Sequence, residues 1–396
     1  MSGASFAVRN VTAVLPNALL ENAVVVVEDG VIVDVSQRAA PPNAVDGNGV
    51  YCLPGLVDTH NDGLEREVMP RPSTRVPVEF ALRAFESRIR AAGITTLFHG
   101  ISWENDSKWN RTVELAKEFS LHIAEYRESN SSLIDHRLLH RLDARDGDGS
   151  DALRTYLEDV GAPHDFGGDT PLVSFEDHTP GQGQYTDRSG LVRYLMGTRG
   201  WSAEQAEVEV ENTFLEREAK KHYRTEALGW IIDAADRGHI RLIGHDLATP
   251  AEVEEATEWG AHIAEFPTTI EAARLSRERE LRIVCGAPNV MRGGSHSGNV
   301  GALELIRSGL CDGLCSDYLP YSMIESIPIL VDEGACTLPR AVRLVTRGPA
   351  VSVGLEDRGL VAKGMRGDLV LARIGKRTAQ VLAVLTSQAR ASLITA

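Results

Sequence analysis

Cysteine is scarce in this chain. Its five residues (Cys52, Cys285, Cys311, Cys315 and Cys336 among 396) are odd in number and follow neither a disulfide framework nor a finger or knuckle spacing. Cys311 and Cys315 lie in an apolar, strand-like stretch and read as buried thiols rather than ligands. No apolar run approaches the roughly 18 residues that span a bilayer, so no membrane partner is expected. The opening MSGASFAVRNVTAV has neither the charged-then-apolar layout of a secretion signal nor a transit-peptide pattern, and the expectation is a reduced, cytoplasmic protein. Positive charge is also in short supply, with 41 Lys and Arg against 56 Asp and Glu and a formal net charge of −15. A balance that acidic works against nucleic acid and anionic lipid. A polyanionic substrate would have to be met by local arginines, backbone amides or metal ions. No internal repeat and no low-complexity tract is present. Hydrophobic residues at 43% and charged residues at 24% are those of an ordinary globular protein, which excludes disorder and collagen-like structure.

Turn signals organise the chain. VVVVEDGVIVDV is a hairpin signature, two β-branched runs joined at Asp29-Gly30, and the first fifty residues read as short strands. GDLVLARI and AQVLAVL near the other end look alike, so both termini are expected to build one small β-sandwich domain (1–54 plus 352–396). Residues 55–351 alternate short apolar runs with helical stretches. The candidate strands are LVDTH, ITTLFHG, LHIAEYR (121–127), LVSFEDH, IRLIGH, HIAEFP, RIVCGAP and GLCSDY, with a long helical pair over 189–238. Eight strands each followed by helical material predict an α/β fold, a TIM-like (β/α)8 barrel. A doubly wound sheet is the runner-up, but the phosphate-binding glycine fingerprint is missing after the first strand.

Four of these strands end in residues that suit a metal ion. His60 is followed by Asp62, LVSFEDH ends in Asp177 and His178, RLIGH in His245, and LCSD in Asp317. Barrel active sites form at the C-terminal strand ends, so these groups should converge. A single His at a strand end is most simply a core residue; four strand ends in step are harder to explain that way. The His-x-Asp spacing puts both side chains on one side of an extended segment, and a mixed N/O set suits Zn²⁺ or Mn²⁺. GAPNVMRGGSHSGN (286–299) reads as a strand, a glycine-rich loop and a helix N-terminus, with Arg292 and loop amides placed to take phosphoryl oxygens. Arg71, stiffened between Pro70 and Pro72, is a further anion contact.

LPGLVDTHND resembles the metal-binding first strand of the amidohydrolase superfamily, whose members pair a barrel with a small β domain from both termini. HND-x-LE-x-x-x-x-PRP, DHTPGQ-x-Q, the His245-Asp246 strand end, AEFPTT, GAPN-x-x-RGGSHSGN and SDY, spread over about residues 50 to 370, are similar to the PhnM family. That resemblance implies hydrolysis of a phosphorylated sugar, α-D-ribose 1-methylphosphonate 5-triphosphate, to the 5-phosphate and diphosphate in phosphonate catabolism. It implies two divalent ions, zinc first with Mn or Fe as alternatives. His60, Asp62 and Asp317 would hold one ion, and His178 and His245 the other. The family's bridging glutamate, in an R-x-E setting, has no counterpart in DHRLLHRLDARDGD; Asp146 fits with a one-residue slip, and Asp143 and Asp148 are alternatives. Asp317 would serve as general base, and His296 would hydrogen-bond the transferring group or protonate the leaving diphosphate. Arg71, Arg292, Gly293, Gly294, Ser295, Ser297 and Asn299 would bind substrate. The segment after about residue 375 matches poorly, and a homo-oligomer is left open. Two other readings compete: a metal-dependent C–N hydrolase of the dihydroorotase or deacetylase kind on the same scaffold, and a non-enzymatic scaffold protein that has lost its metals. The second predicts broken ligand positions, whereas His60, Asp62, His178, His245 and Asp317 all stand.

Overall fold

The structure is a computed structural model that describes residues 3–387 other than 72, 108–109, 130, 162–169, 186 and 296–297. The N-terminal segment forms β1 (Phe6–Val14), β2 (Leu19–Glu28), β3 (Val31–Ser36), β4 (Val45–Asp46) and β5 (Tyr51–Pro54). Asp29 and Gly30 both have positive φ, 48° and 80°, as a type I′ turn requires, and β2 pairs antiparallel with β3 across it.

Eight parallel strands follow: β6 (Leu56–Asn61), β7 (Ile94–Trp103), β8 (Asp135–Asp143), β9 (Leu172–Glu176), β10 (Arg241–His245), β11 (Ala261–Glu265), β12 (Arg282–Gly286) and β13 (Gly313–Cys315). Each pairs with the next in chain order, with helices between, so the sheet is a (β/α)8 barrel. The two outer strands meet at a seam. Asp317 N donates to the His60 carbonyl at 2.9 Å, and Asp62 N donates to the Asp317 carbonyl at 2.7 Å. Buried Asp58 accepts from Ser316 N at 2.9 Å and from its hydroxyl at 2.5 Å. β14 (Leu369–Ile374) and β15 (Ala379–Leu385) return to the N-terminal segment, β14 pairing antiparallel with β5. Both ends of the chain thus share one seven-stranded mixed sheet that branches at β1, with its own core of Val8, Val11, Val25, Ile32 and Leu369.

The barrel lumen is filled, not open. Val57, Phe98, Leu139, Leu172, Ile243, Ile263, Val284 and Cys315, one from every strand, form a single buried cluster closed below by Ala350, Val353 and Leu355. Polar groups at the strands' C-terminal ends therefore sit above an apolar plug. Outside, amphipathic helices cover the strands. Val78–Ala91 buries Val78, Ala81, Leu82, Phe85 and Ile89 at helical spacing, and Pro250–Glu258 starts in a capping box in which Thr249 and Glu252 satisfy each other's backbone N–H groups.

Two sequence-based expectations change. LHIAEYR is not a strand: it lies in the helix Val113–Glu128, whose buried Val113, Ala116, Phe119, Ile123 and Tyr126 recur every three to four residues. The third barrel strand is β8, DHRLLHRLD, whose charged and imidazole side chains hide the apolar alternation. In the 286–299 segment, a one-turn helix, Ala287–Arg292, stands where a loop was expected.

Candidate active site

The strand ends deliver His60 and Asp62 from β6, Glu176 and His178 from β9, His245 and Asp246 from β10, Glu265 from β11 and Asp317 from just past β13. Two of these residues, and Phe266 beside Glu265, stand on left-handed backbone. Asp246, Phe266 and Asp317 have φ of 55°, 53° and 57°, values that cost non-glycine residues energy and cluster at functional sites. Gly100 on β7 has to be a glycine, because a Cβ there would collide with Asp62 Oδ1 and crowd Arg141.

Glu265 organises the centre. Its Oε2 accepts from Nδ1 of His60 at 2.9 Å and from Nδ1 of His245 at 3.0 Å, which leaves both Nε2 atoms facing away from it, available to an ion. His60 Nε2 stands 3.3 Å from Asp62 Oδ1, and both atoms are buried without a hydrogen-bond partner; so is Asp246 Oδ2, 3.6 Å from His245 Nε2. Two groups of ligand atoms that share no residue result: His60, Asp62 and Asp317, and Glu176, His178 and His245. In the first set the orphaned His60 Nε2 and Asp62 Oδ1 are costly alone and fit a divalent cation; the second set brings two imidazoles and a carboxylate together. Between the groups lies the Arg141 guanidinium, which donates to both oxygens of Glu176 at 2.9 Å and to Asp62 Oδ2 at 2.6 Å.

The electrostatics follow from burial against charge. Burial raises the Asp317 carboxyl to about 6, helped by the negative charge of Asp62. It also raises Asp246 to about 6 and lowers His178 to about 4. At His245 burial opposes protonation, but Glu176 and Asp246 outweigh it and lift the imidazole to about 9. At Glu265 burial is overcome by His60 and by the two imidazole hydrogen bonds, bringing it down to about 2. Acidic groups outnumber their basic partners here, and an ion would relieve the excess.

His60, Asp62, Arg141, His178, His245, Asp246 and Asp317 line a cavity of about 190 Å³ that is also lined by Asn289, Arg292, Ser295 and Asn299. Arg292 donates to Asn289 Oδ1 at 2.6 Å and to the Tyr318 hydroxyl. Gly293 takes the left-handed turn that ends the one-turn helix, with φ 76°; neither it nor Gly294 lines the cavity. His296 and Ser297 lie outside the described residues. Arg71 is exposed, opposite Thr74 in a short turn, and does not line this cavity.

Asp146 requires a correction. Its carboxylate caps the helix Gly147–Thr155, accepting from Gly149 N at 2.7 Å and from Asn105 N at 2.9 Å, so it points at backbone amides and not at the ligand groups. The chain leaves the barrel after Asp143 and begins the helix at once, which makes residue 146 an N-cap. Asp148 accepts from Asn105 at 3.1 Å, and Asp143 from Arg145 N at 2.7 Å and Arg217 at 2.9 Å. Asp177 likewise turns away, to Arg145 at 2.9 Å. Sequence reasoning missed Arg141, Glu176 and Glu265. The signal available for Glu265 was its place as the last residue of a strand, in AEFPTT.

No protein-family model matches the chain. It is 33% identical over 368 residues to the α-D-ribose 1-methylphosphonate 5-triphosphate diphosphatase of Escherichia coli strain K12, covering 92% of this chain and 94% of that one. Among solved structures it is similar to an amidohydrolase (TM-score 0.61, 15% identity, 98% of each chain) and to the 5-methylcytosine deaminase of Klebsiella pneumoniae (TM-score 0.61, 14% identity, 97% of each chain). At such identities these structures speak for the fold alone. A (β/α)8 barrel, ligand sets suited to divalent ions and the extended match to the Escherichia coli enzyme agree with one another: the chain belongs to the α-D-ribose 1-methylphosphonate 5-triphosphate diphosphatase (PhnM) family.

Proposed function

We propose that the protein hydrolyses α-D-ribose 1-methylphosphonate 5-triphosphate to the 5-phosphate and diphosphate. The observation that carries this reading is one cavity that sets two metal-competent ligand groups against an arginine-bearing polar wall. His60, Asp62 and Asp317 would hold one divalent ion, and Glu176, His178 and His245 a second, with zinc the first candidate. Bound there, the ions would supply Lewis acidity and lower the pKa of water. Glu265 holds the His60 and His245 imidazoles in the tautomer that presents Nε2. Arg292, Ser295 and Asn299 grip phosphoryl oxygens and orient the chain of phosphates for in-line attack. Water attacks the phosphorus that stays on the sugar, on the sugar side of the scissile anhydride, and its proton passes to Asp317 Oδ. The P–O bond breaks, and diphosphate leaves with the electron pair. In a chain of net charge −15, this local clustering of cations is what makes a polyanion bindable.

The test is metal analysis of the purified protein combined with a diphosphate-release assay on the triphosphate. About two ions per chain and stoichiometric diphosphate are expected. Protein that holds no metal, and gains no activity from added Zn²⁺ or Mn²⁺, defeats the reading. Activity confined to cyclic amides would instead favour the C–N hydrolase.

A further inference from the structure

A second cavity, of about 270 Å³, shares Asp62 and Asp317 with the first as a common wall. Each chamber alone is smaller than the about 300–1,000 Å³ usual for a small-molecule site, and the two together fall inside that range. Their linings differ in kind. The first offers Asn289, Arg292, Ser295 and Asn299 to oxygen-rich groups. The second has an apolar wall that includes Val68, Leu115 and Phe119, and three arginines, Arg66, Arg75 and Arg111. Two of those cations are already matched. Arg111 holds Glu65 at 3.0 Å and Glu104 at 2.9 Å, and Arg75 holds Glu118 at 2.5 Å. Arg66, exposed on the short helix Gly63–Val68, has no ion-pair partner among the described residues. The chamber thus presents one unmatched positive charge beside an apolar surface, with the ligand aspartates at its mouth.

We propose that this second chamber binds the sugar end of the substrate, a pentose carrying a methylphosphonate ester, with Arg66 as the contact to the phosphonate oxygens. The ester carries a single negative charge and a methyl group, which match one free guanidinium and an apolar wall. A triphosphate alone needs neither. With the sugar in the second chamber and the terminal phosphates in the first, the scissile anhydride lies over the shared wall, where Asp62 and Asp317 stand. The inference rests on the diphosphatase reading, and binding measurements separate the two.

Calorimetric titration of the metal-loaded full chain with α-D-ribose 1-methylphosphonate 5-phosphate, and separately with diphosphate, should show R66A weakening the sugar phosphonate about ten-fold. Diphosphate affinity should change by less than about two-fold, and R66K should recover part of the loss. Equal weakening of both ligands, or of neither, overturns the assignment, as does failure of the unaltered protein to bind the sugar phosphonate. Should the unaltered protein bind the sugar phosphonate but release no diphosphate from the triphosphate, the diphosphatase reading falls and the Arg66 comparison still decides this one.

Discussion

The two ends of the barrel handle buried charge in opposite ways. At the N-terminal end, Asp135 at the start of β8 is surrounded by guanidinium groups. It accepts from Arg137 at 2.8 Å, Arg127 at 3.0 Å and Arg358 at 2.6 Å, and Arg358 also reaches Thr96 at 2.9 Å. At the C-terminal end, His60 Nε2, Asp62 Oδ1 and Asp246 Oδ2 are left without partners although buried. A fully paired ionic cluster locks one packing arrangement, whereas an incompletely paired one stores binding capacity and waits for a ligand. The strands between are the same strands. Function is separated from stability along one axis, by which end the polar side chains occupy.

The sharpest way to break this contrast is Asp317→Asn. It should lower kcat by about 10³-fold, within the range for loss of a general base, while the denaturant midpoint of the metal-free protein stays close to that of the parent. A comparable loss of stability would show that the upper end is structural after all. Arg358→Ala should do the reverse, costing about 3 kcal/mol in urea unfolding because buried Asp135 loses a charged partner, with activity per folded molecule retained. The same variant sharpens the comparison through pH. Burial alone would raise the Asp135 carboxyl, but Arg137, Arg358 and Arg127 hold it well below the usual carboxylate range. A carboxylate depressed in the folded state adds stability that is complete above the unfolded pKa of about 3.9 and is lost as pH falls further. Unfolding free energy should therefore decline more steeply from pH 5 to pH 3 in the parent than in Arg358→Ala. The smallest effect is expected for Asp146→Ala, about 1 kcal/mol from a lost helix cap with bound metal unchanged. Loss of an ion in that variant would restore Asp146 as a ligand.

How legible each part was depended on what surrounds it. His60, Asp62, His178, His245 and Asp317 stood out because each follows a run of apolar strand residues and interrupts it with a metal-competent group. Glu265 and Glu176 follow similar runs, but an acid at a strand end says nothing by itself about which imidazole it orients. Only the barrel's curvature puts β11 within reach of both β6 and β10. Arg141 was unreadable for a related reason. β8 carries Arg137 and Arg141, its His136 stacks on His99 and its His140 accepts from Trp103 Nε1, so its hydropathy resembles a loop. The helix over 113–128 was misread in part because its last turns, taken alone, alternate like a strand.

The seam between β6 and β13 has a consequence for how the protein comes into being. His60 and Asp62 are synthesised early, yet Asp317, which meets them across that seam, is among the last residues of the barrel to be made. Until the final strand docks against the first, the group of His60, Asp62 and Asp317 lacks its third member and the ring is open. An ion held by that group would therefore report closure, and by binding the closed form preferentially it would add RT ln(1 + [ion]/Kd) to the stability of the finished ring over every unfinished one. For a chain whose first and last barrel strands are so distant in sequence, metal supply would then bear on its assembly as well as on its chemistry.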